Sequence, residues 1–280
     1  MCKCIFKHNT YYISIMFKNV IFFAHRAGQR RKGVEKTPLF LKSLIHPYIK
    51  QIETKVSTNQ DLNINLYNLY QKNVLVDGPK VNIGGDHSMS IATVADSIRR
   101  HEDLKVIWMD AHCDINTYKE SKSKNYHGMP LSILTGLEKE SSLNFINRTI
   151  DFKNILYIGV RDIDPFEKEV MEKYNIKHIS IEDIHNDIKS TIGDINSFVK
   201  NSPIHFSFDV DVLDPNVMPS TGTPVECGLE LEPCKLIVDE LLRKNLVSVD
   251  ITELNLTIGH VQERAKSLIN LTYLFKNYIF

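Results

Sequence analysis

The sequence predicts an α/β fold: a three-layer α/β/α sandwich around a mostly parallel sheet of about eight strands. Three observations predict it. Short apolar, β-branched runs recur at 19–24, 81–83, 104–109, 155–160, 176–181, 204–208 and 246–251. The segments between them carry apolar residues at helical spacing. Runs without polar alternation belong to strands buried on both faces, so the sheet is parallel and covered by helices on each side. Finally, three acidic clusters, two of them bearing histidine, each follow one of these runs: Gly84-Gly-Asp-His87, Asp110-Ala-His-Cys-Asp114 and Asp209-Val-Asp211. In open parallel sheets, ligands bind beyond the carboxyl ends of strands.

In chain order, Asn19-Val-Ile-Phe-Phe-Ala24 reads as the first core strand, with Met16 just before it. Residues 1–15 are expected to be an N-terminal extension, and 16–280 a single catalytic domain. Residues 1–34 contain no Asp or Glu and several Lys and Arg, which is the composition of a transit peptide. Cleavage there would remove a core strand, so a cytoplasmic location is favoured over a mitochondrial one. The polar, Asn-rich stretch 53–73 is expected to form a loop and a helix on the sheet edge. Ser88 is placed as the N-cap of a helix whose Ile91, Val94, Ala95 and Ile98 share one face. Asp164-Pro165 starts another helix, ending near Tyr174-Asn175. Pro233 fits the first turn of a third, which carries Leu236, Ile237, Leu241 and Leu242. No internal repeat occurs and no linker divides the chain.

Composition narrows the class of partner. With 42% hydrophobic and 24% charged residues, the 280-residue chain can bury a full core. A formal net charge of +0 gives no electrostatic case for nucleic acid or an anionic membrane, which leaves a small molecule. The longest apolar stretch, Tyr11–Ala24, is broken by Lys18 and Asn19 and falls short of the ~18 residues of a span. The cysteines Cys2, Cys4, Cys113, Cys227 and Cys234 are odd in number and form no C-x-x-C pair. That pattern suits a reducing compartment. Cys2-x-Cys4 reads as incidental.

The clusters gather more carboxylates than a buried site tolerates without a cation. Many aspartate oxygens with a few imidazoles make a hard site, which suits manganese better than a structural zinc. At i, i+2 and i+4 of an extended chain, Asp110, His112 and Asp114 converge, and Asp209 and Asp211 do the same. Asp86 is expected to cap a turn and not to ligate. Cys113 is expected to face away from the cation. His101, His178, His185, His205 and His260 have no such context and read as structural.

These residues resemble the arginases within the ureohydrolases over roughly residues 19–275. The resemblance rests on Gly84-Gly-Asp-His-Ser88, Asp110-Ala-His-Cys-Asp-Ile-Asn116, Asn125-Tyr-His-Gly128, Arg161-Asp-Ile-Asp-Pro-Phe-Glu167, Ser207-Phe-Asp-Val-Asp211 and Asp250-Ile-Thr-Glu-Leu-Asn255, in family order. It implies two Mn2+ per subunit. One is bound by His87, Asp110, Asp114 and Asp209. The other is bound by Asp110, His112, Asp209 and Asp211. A hydroxide between the ions attacks the guanidinium carbon, so that L-arginine yields L-ornithine and urea. It further implies that His127 is a proton shuttle and that Glu253 holds the guanidinium. Asn116, Ser123 and Asn125 then read the α-carboxylate, and Asp164 and Glu167 the α-ammonium. Ser121 stands where the family often has threonine. The family also implies a homo-oligomer, with a trimer as one candidate.

The chain departs from the family pattern in the Phe23–Gly28 loop, in a short 50–80 segment, and in ending at Phe280 without the tail that helps some relatives trimerise. The alternatives are another ureohydrolase, such as an agmatinase or guanidinobutyrase, and a catalytically silent arginase-like homologue.

Overall fold

The structure is a computed structural model and describes residues 17–57, 59–276 and 278–280. The proposed extension 1–15, with Cys2 and Cys4, lies outside the described residues. The strands are β1 (Asn19–Phe23), β2 (Lys50–Glu53), β3 (Lys80–Gly84), β4 (Lys105–Met109), β5 (Ile155–Ile158), β6 (Lys177–Ile179), β7 (Ile204–Asp209) and β8 (Leu246–Thr252). They form one 8-stranded sheet in the order β2-β1-β3-β8-β7-β4-β5-β6. Every pairing is parallel, so the sheet is more uniform than expected.

Seven of the strands coincide with the apolar runs. The eighth, β2, escaped because Lys50-Gln-Ile-Glu53 is short, polar and largely exposed at the sheet edge. Alternation within the strands builds two cores. Val20, Phe22, Ile107 and Met109 face one layer, which holds α1 (Thr37–Leu41), α6 (Ile181–Asn186), α7 (Ile188–Val199), α8 (Leu231–Leu242) and α9 (Val261–Leu274). Ile21, Phe23, Val106 and Trp108 face the other, which holds α2 (Leu62–Val74), α3 (Ser90–Arg100), α4 (Pro130–Thr135) and α5 (Pro165–Tyr174). The central strands therefore bury both faces, which is why their sequences show no polar alternation.

Helix ends follow the sequence closely. Asp164 caps α5 in a capping box with Glu167, Pro165 opens the helix, and Asn175 closes it in the left-handed conformation. One cap is corrected. Asp86, not Ser88, is the capping residue, and it accepts from the Ser88 backbone N–H ahead of the one-turn helix His87–Met89 that leads into α3. The Ser88 hydroxyl itself donates to Asp86, inside the turn that Asp86 caps.

Candidate active site

The strand order carries the site. β3, β8, β7 and β4 lie side by side, and chain at or just past their carboxyl ends supplies His87, Glu253, Asp209 and Asp110 respectively. The loops there pack tightly. A side chain on Gly85 would meet the His25 carbonyl oxygen at 1.6 Å, so only glycine lets the loops after β1 and β3 nest. Asp86 is spent on backbone, accepting from Gly28 N at 2.8 Å and Ser88 N at 3.0 Å. It caps, as its position suggested.

The Nδ1 of His87 lies 3.0 Å from Asp110 Oδ2, 3.1 Å from Asp114 Oδ2 and 3.0 Å from Asp209 Oδ2. The Nδ1 of His112 lies 3.4 Å from Asp110 Oδ1 and 3.2 Å from Asp211 Oδ2. Two ligand groups result, His87/Asp110/Asp209 and Asp110/His112/Asp211, which meet at Asp110. Extended geometry does not persist into these loops. Asp114 turns inward through a left-handed backbone (φ +49), and Asp211 through the one-turn helix Val210–Val212.

The donor set fits a pair of hard divalent cations. His87 Nδ1 is buried, faces three carboxylates and makes no hydrogen bond. Its other nitrogen is 2.7 Å from Ser207 Oγ, and its ring stacks on Trp108 at 4.2 Å. With Nε2 donating to the hydroxyl, Nδ1 keeps its lone pair for a cation. The indole of Trp108 donates to Asp110 Oδ2 at 3.0 Å, and Thr223 Oγ1 donates to Asp211 Oδ2 at 3.0 Å.

Charge crowding tells the same story. Burial, then repulsion from Asp110, pushes the Asp114 carboxyl up to about 6. Burial, then Asp211 and Asp110, raises Asp209 well above the carboxylate range. Burial would raise Asp110 too, but the imidazoles of His112 and His87 hold it down. A cluster this unfavourable to protein charges alone gains from cations. Cys113 takes no part. Its Sγ lies 3.4 Å from Met171 Sδ in the apolar layer, and burial pushes the thiol up.

Beside this group, His127 Nδ1 lies 3.0 Å from Glu253 Oε1. A cavity of about 160 Å³ opens onto both regions. It is lined by His87, His112, Asp114, Asp209, His127 and Thr223, and by Asn116, Ser121, Ser123, Asp164 and Glu167. Asn116 Nδ2 donates to Asp164 Oδ2 at 2.9 Å. Glu167 accepts from Ile115 N and Asp164 N, and burial pushes its carboxyl up to about 7. Asn125 is not among the lining residues. Its backbone N–H donates to Ser123 Oγ at the start of the turn that carries His127. A larger groove of about 1250 Å³ beside Arg161 and Cys227 contains no metal-facing side chain.

The arginase family model matches residues 28–273. The chain belongs to the arginase family. It is 35% identical to mouse arginase-1 over 277 residues, with 87% of this chain and 86% of the relative covered. It is similar to the arginase of Entamoeba histolytica, whose structure in complex with L-ornithine superposes with a TM-score of 0.84 at 30% identity, covering 94% of this chain and 99% of that one. Bacillus subtilis arginase superposes with a TM-score of 0.80 at 27% identity, covering 91% of this chain and 96% of that one.

For an arginase-family hydrolase, the site holds more working parts than the motifs announced. Gln29, in the loop after β1, donates from Nε2 to both carboxylate oxygens of Glu253, at 3.0 and 2.7 Å. Nothing in the sequence marked it. Ser207 sits within a quoted motif and was given no role, yet it fixes His87. Asp250 in β8 is fully buried, accepting from Ser90 Oγ at 2.8 Å and Asn82 Nδ2 at 3.0 Å and pairing with His205 Nε2 at 3.0 Å. His205 is thus structural, as expected, and so is His178, which lies 3.1 Å from the Val160 carbonyl.

Proposed function

We propose that this arginase-family hydrolase cleaves L-arginine to L-ornithine and urea, using two manganese ions held by His87, Asp110, His112, Asp114, Asp209 and Asp211. The observation that carries this reading is the pair of imidazole–carboxylate groups meeting at Asp110, with Glu253 and His127 alongside. When bound, the two cations supply the Lewis acidity that turns water into a nucleophile near neutral pH. The buried carboxylate of Glu253 pairs with the planar guanidinium and fixes the reacting carbon. Burial would depress His127, but Glu253 pushes its imidazole up to about 9, so it enters the reaction with a proton for the leaving amine. Asn116, Ser123 and Asn125 supply uncharged donors for the α-carboxylate, and Asp164 and Glu167 supply acceptors for the α-ammonium.

The L-ornithine in the Entamoeba relative supports an amino-acid substrate. The intact ligand set, with His127 and Glu253 in place, disfavours a silent homologue. The reading includes a homo-oligomer, with a trimer the first candidate, working in a reducing, cytoplasmic setting. No helix among the described residues is long and apolar enough to cross a membrane.

The test is urea release by the purified, manganese-loaded protein, with arginine and agmatine run side by side. A carboxylate-reading site leaves its donors unpaired on agmatine, at about 1–3 kcal/mol for each buried group. A clear excess of kcat/KM for L-arginine is expected. Equal rates on both substrates would replace the arginase assignment with a broader ureohydrolase one.

A further inference from the structure

Glu253 leaves β8 in an unusual way. Its φ is +63, a left-handed backbone that residues other than glycine seldom adopt. From there its side chain has no strand geometry to follow, and its direction depends on what it touches. Oε1 accepts from His87 N at 2.9 Å and lies 3.0 Å from both His127 Nδ1 and Gln29 Nε2. Oε2, among the described residues, has one donor, Gln29 Nε2 at 2.7 Å. Oε1 is therefore saturated, and Oε2 retains a free lone pair.

The loop that carries Gln29 is tied to the site on both sides. Gly28 N donates to Asp86 Oδ2 at 2.8 Å, and Gly28 O accepts from His127 N at 3.1 Å. A side chain on Gly28 would meet Ser88 Oγ at 2.5 Å, so the chain at that point lies pressed against the turn after β3. Gln29 itself is 8% exposed and Glu253 2%. A buried carboxamide whose nitrogen spans both oxygens of a buried carboxylate holds the plane of that carboxylate. It also leaves one lone pair of Oε2 without a donor among the described residues.

We propose that Gln29 is a positioning residue for guanidinium capture: it sets the plane of Glu253 and thereby the substrate's guanidinium end. The proposal rests on the reading of Glu253 as the guanidinium-binding carboxylate. A contact made alike before and during the reaction acts on binding and not on turnover. Losing a donor to a charged group therefore raises KM by about ten-fold and spares kcat.

The test uses metal-loaded enzyme and three variants. Gln29→Met keeps the length and removes the donor. Gln29→Glu keeps the shape and sets a like charge against Glu253. Glu253→Gln probes the premise. For Gln29→Met the expected result is KM for L-arginine and the inhibition constant of guanidinium ion both up by about ten-fold. Metal content, kcat and inhibition by L-ornithine, which has no guanidinium, stay unchanged. Gln29→Glu should show a larger KM rise that shrinks on acidification, and it decides the matter should Gln29→Met fold poorly. Unchanged KM and guanidinium inhibition in both Gln29 variants, with both raised in Glu253→Gln, overturns the role of Gln29 alone. Loss of metal or of ornithine binding makes Gln29 a structural residue and also overturns it. No effect in Glu253→Gln removes the premise, and the proposal falls with it.

Discussion

His127 and Glu253, separated by 126 positions, meet through one 3.0 Å contact between Nδ1 and Oε1. The imidazole and the carboxylate, proposed as proton shuttle and guanidinium holder, are thus one electrostatic unit. Its protonation follows from the pair. Burial would lower the His127 value from 6.5, but the Glu253 carboxylate raises it to about 9.

The first prediction uses this pair. Imidazole NMR titration of metal-free protein should show His127 titrating near 9, and Glu253→Gln should return it towards 6.5. The folded state binds this proton more tightly than the unfolded chain. The stability it contributes is therefore complete below pH 6.5 and lost as pH rises to about 9. Denaturant midpoints of the wild type should fall more steeply over that window than those of Glu253→Gln. A His127 that titrates normally in both proteins refutes the coupling.

The second prediction concerns turnover. His127→Asn should lower kcat by about 10²–10⁴-fold, the range for a lost general acid, with metal content intact. Loss of metal in this variant would make His127 a ligand.

The third prediction separates the metal ligands. Asp110 belongs to both ligand groups, whereas Asp114 faces only His87. Asp110→Ala should lose both ions, and Asp114→Ala should weaken one. Elemental analysis after dialysis reads the stoichiometry, and two equivalents retained in Asp110→Ala would refute the shared-ligand arrangement.

The fourth concerns Ser207, whose hydroxyl orients His87. Ser207→Ala should weaken one of the two proposed cation sites by about 10–100-fold and leave the other in place, because the group around His112 does not touch Ser207. Calorimetric titration of metal-free protein should resolve the two sites. Equal weakening of both would assign Ser207 to general packing.

The fifth concerns the far end of the substrate. Asp164 is held by Asn116, and both line the cavity. Asp164→Ala should raise KM for arginine and agmatine alike, since both carry the ammonium that Asp164 is read as holding, and leave KM for 4-guanidinobutyrate, which lacks it, little changed. An equal rise on 4-guanidinobutyrate would leave Asp164 with only its role as helix cap.

What the sequence revealed, and what it hid, has a physical division. Strands buried on both faces announce themselves as unbroken apolar runs. The exposed edge strand Lys50–Glu53 does not, because pairing through backbone leaves no mark on side-chain type. The candidate ligands stood out because several aspartates and histidines at strand ends have few other uses. How they converge was not. Asp114 arrives through a left-handed turn, where alternation along an extended chain was expected. Gln29 and Glu253 are 224 positions apart, and a lone glutamine in a loop has no periodicity to betray it.

The sheet order has a consequence for how the enzyme is made. The four strands that deliver His87, Glu253, Asp209 and Asp110 are neighbours in space but span the chain from residue 80 to residue 252. No amino-terminal fragment that stops short of β7 contains either ligand group whole, since each needs Asp209 or Asp211. Such distant parallel pairings form slowly. With cations bound as proposed, metal loading during synthesis waits until β7 has docked beside β4, and ion uptake then draws newly made chains towards the native state.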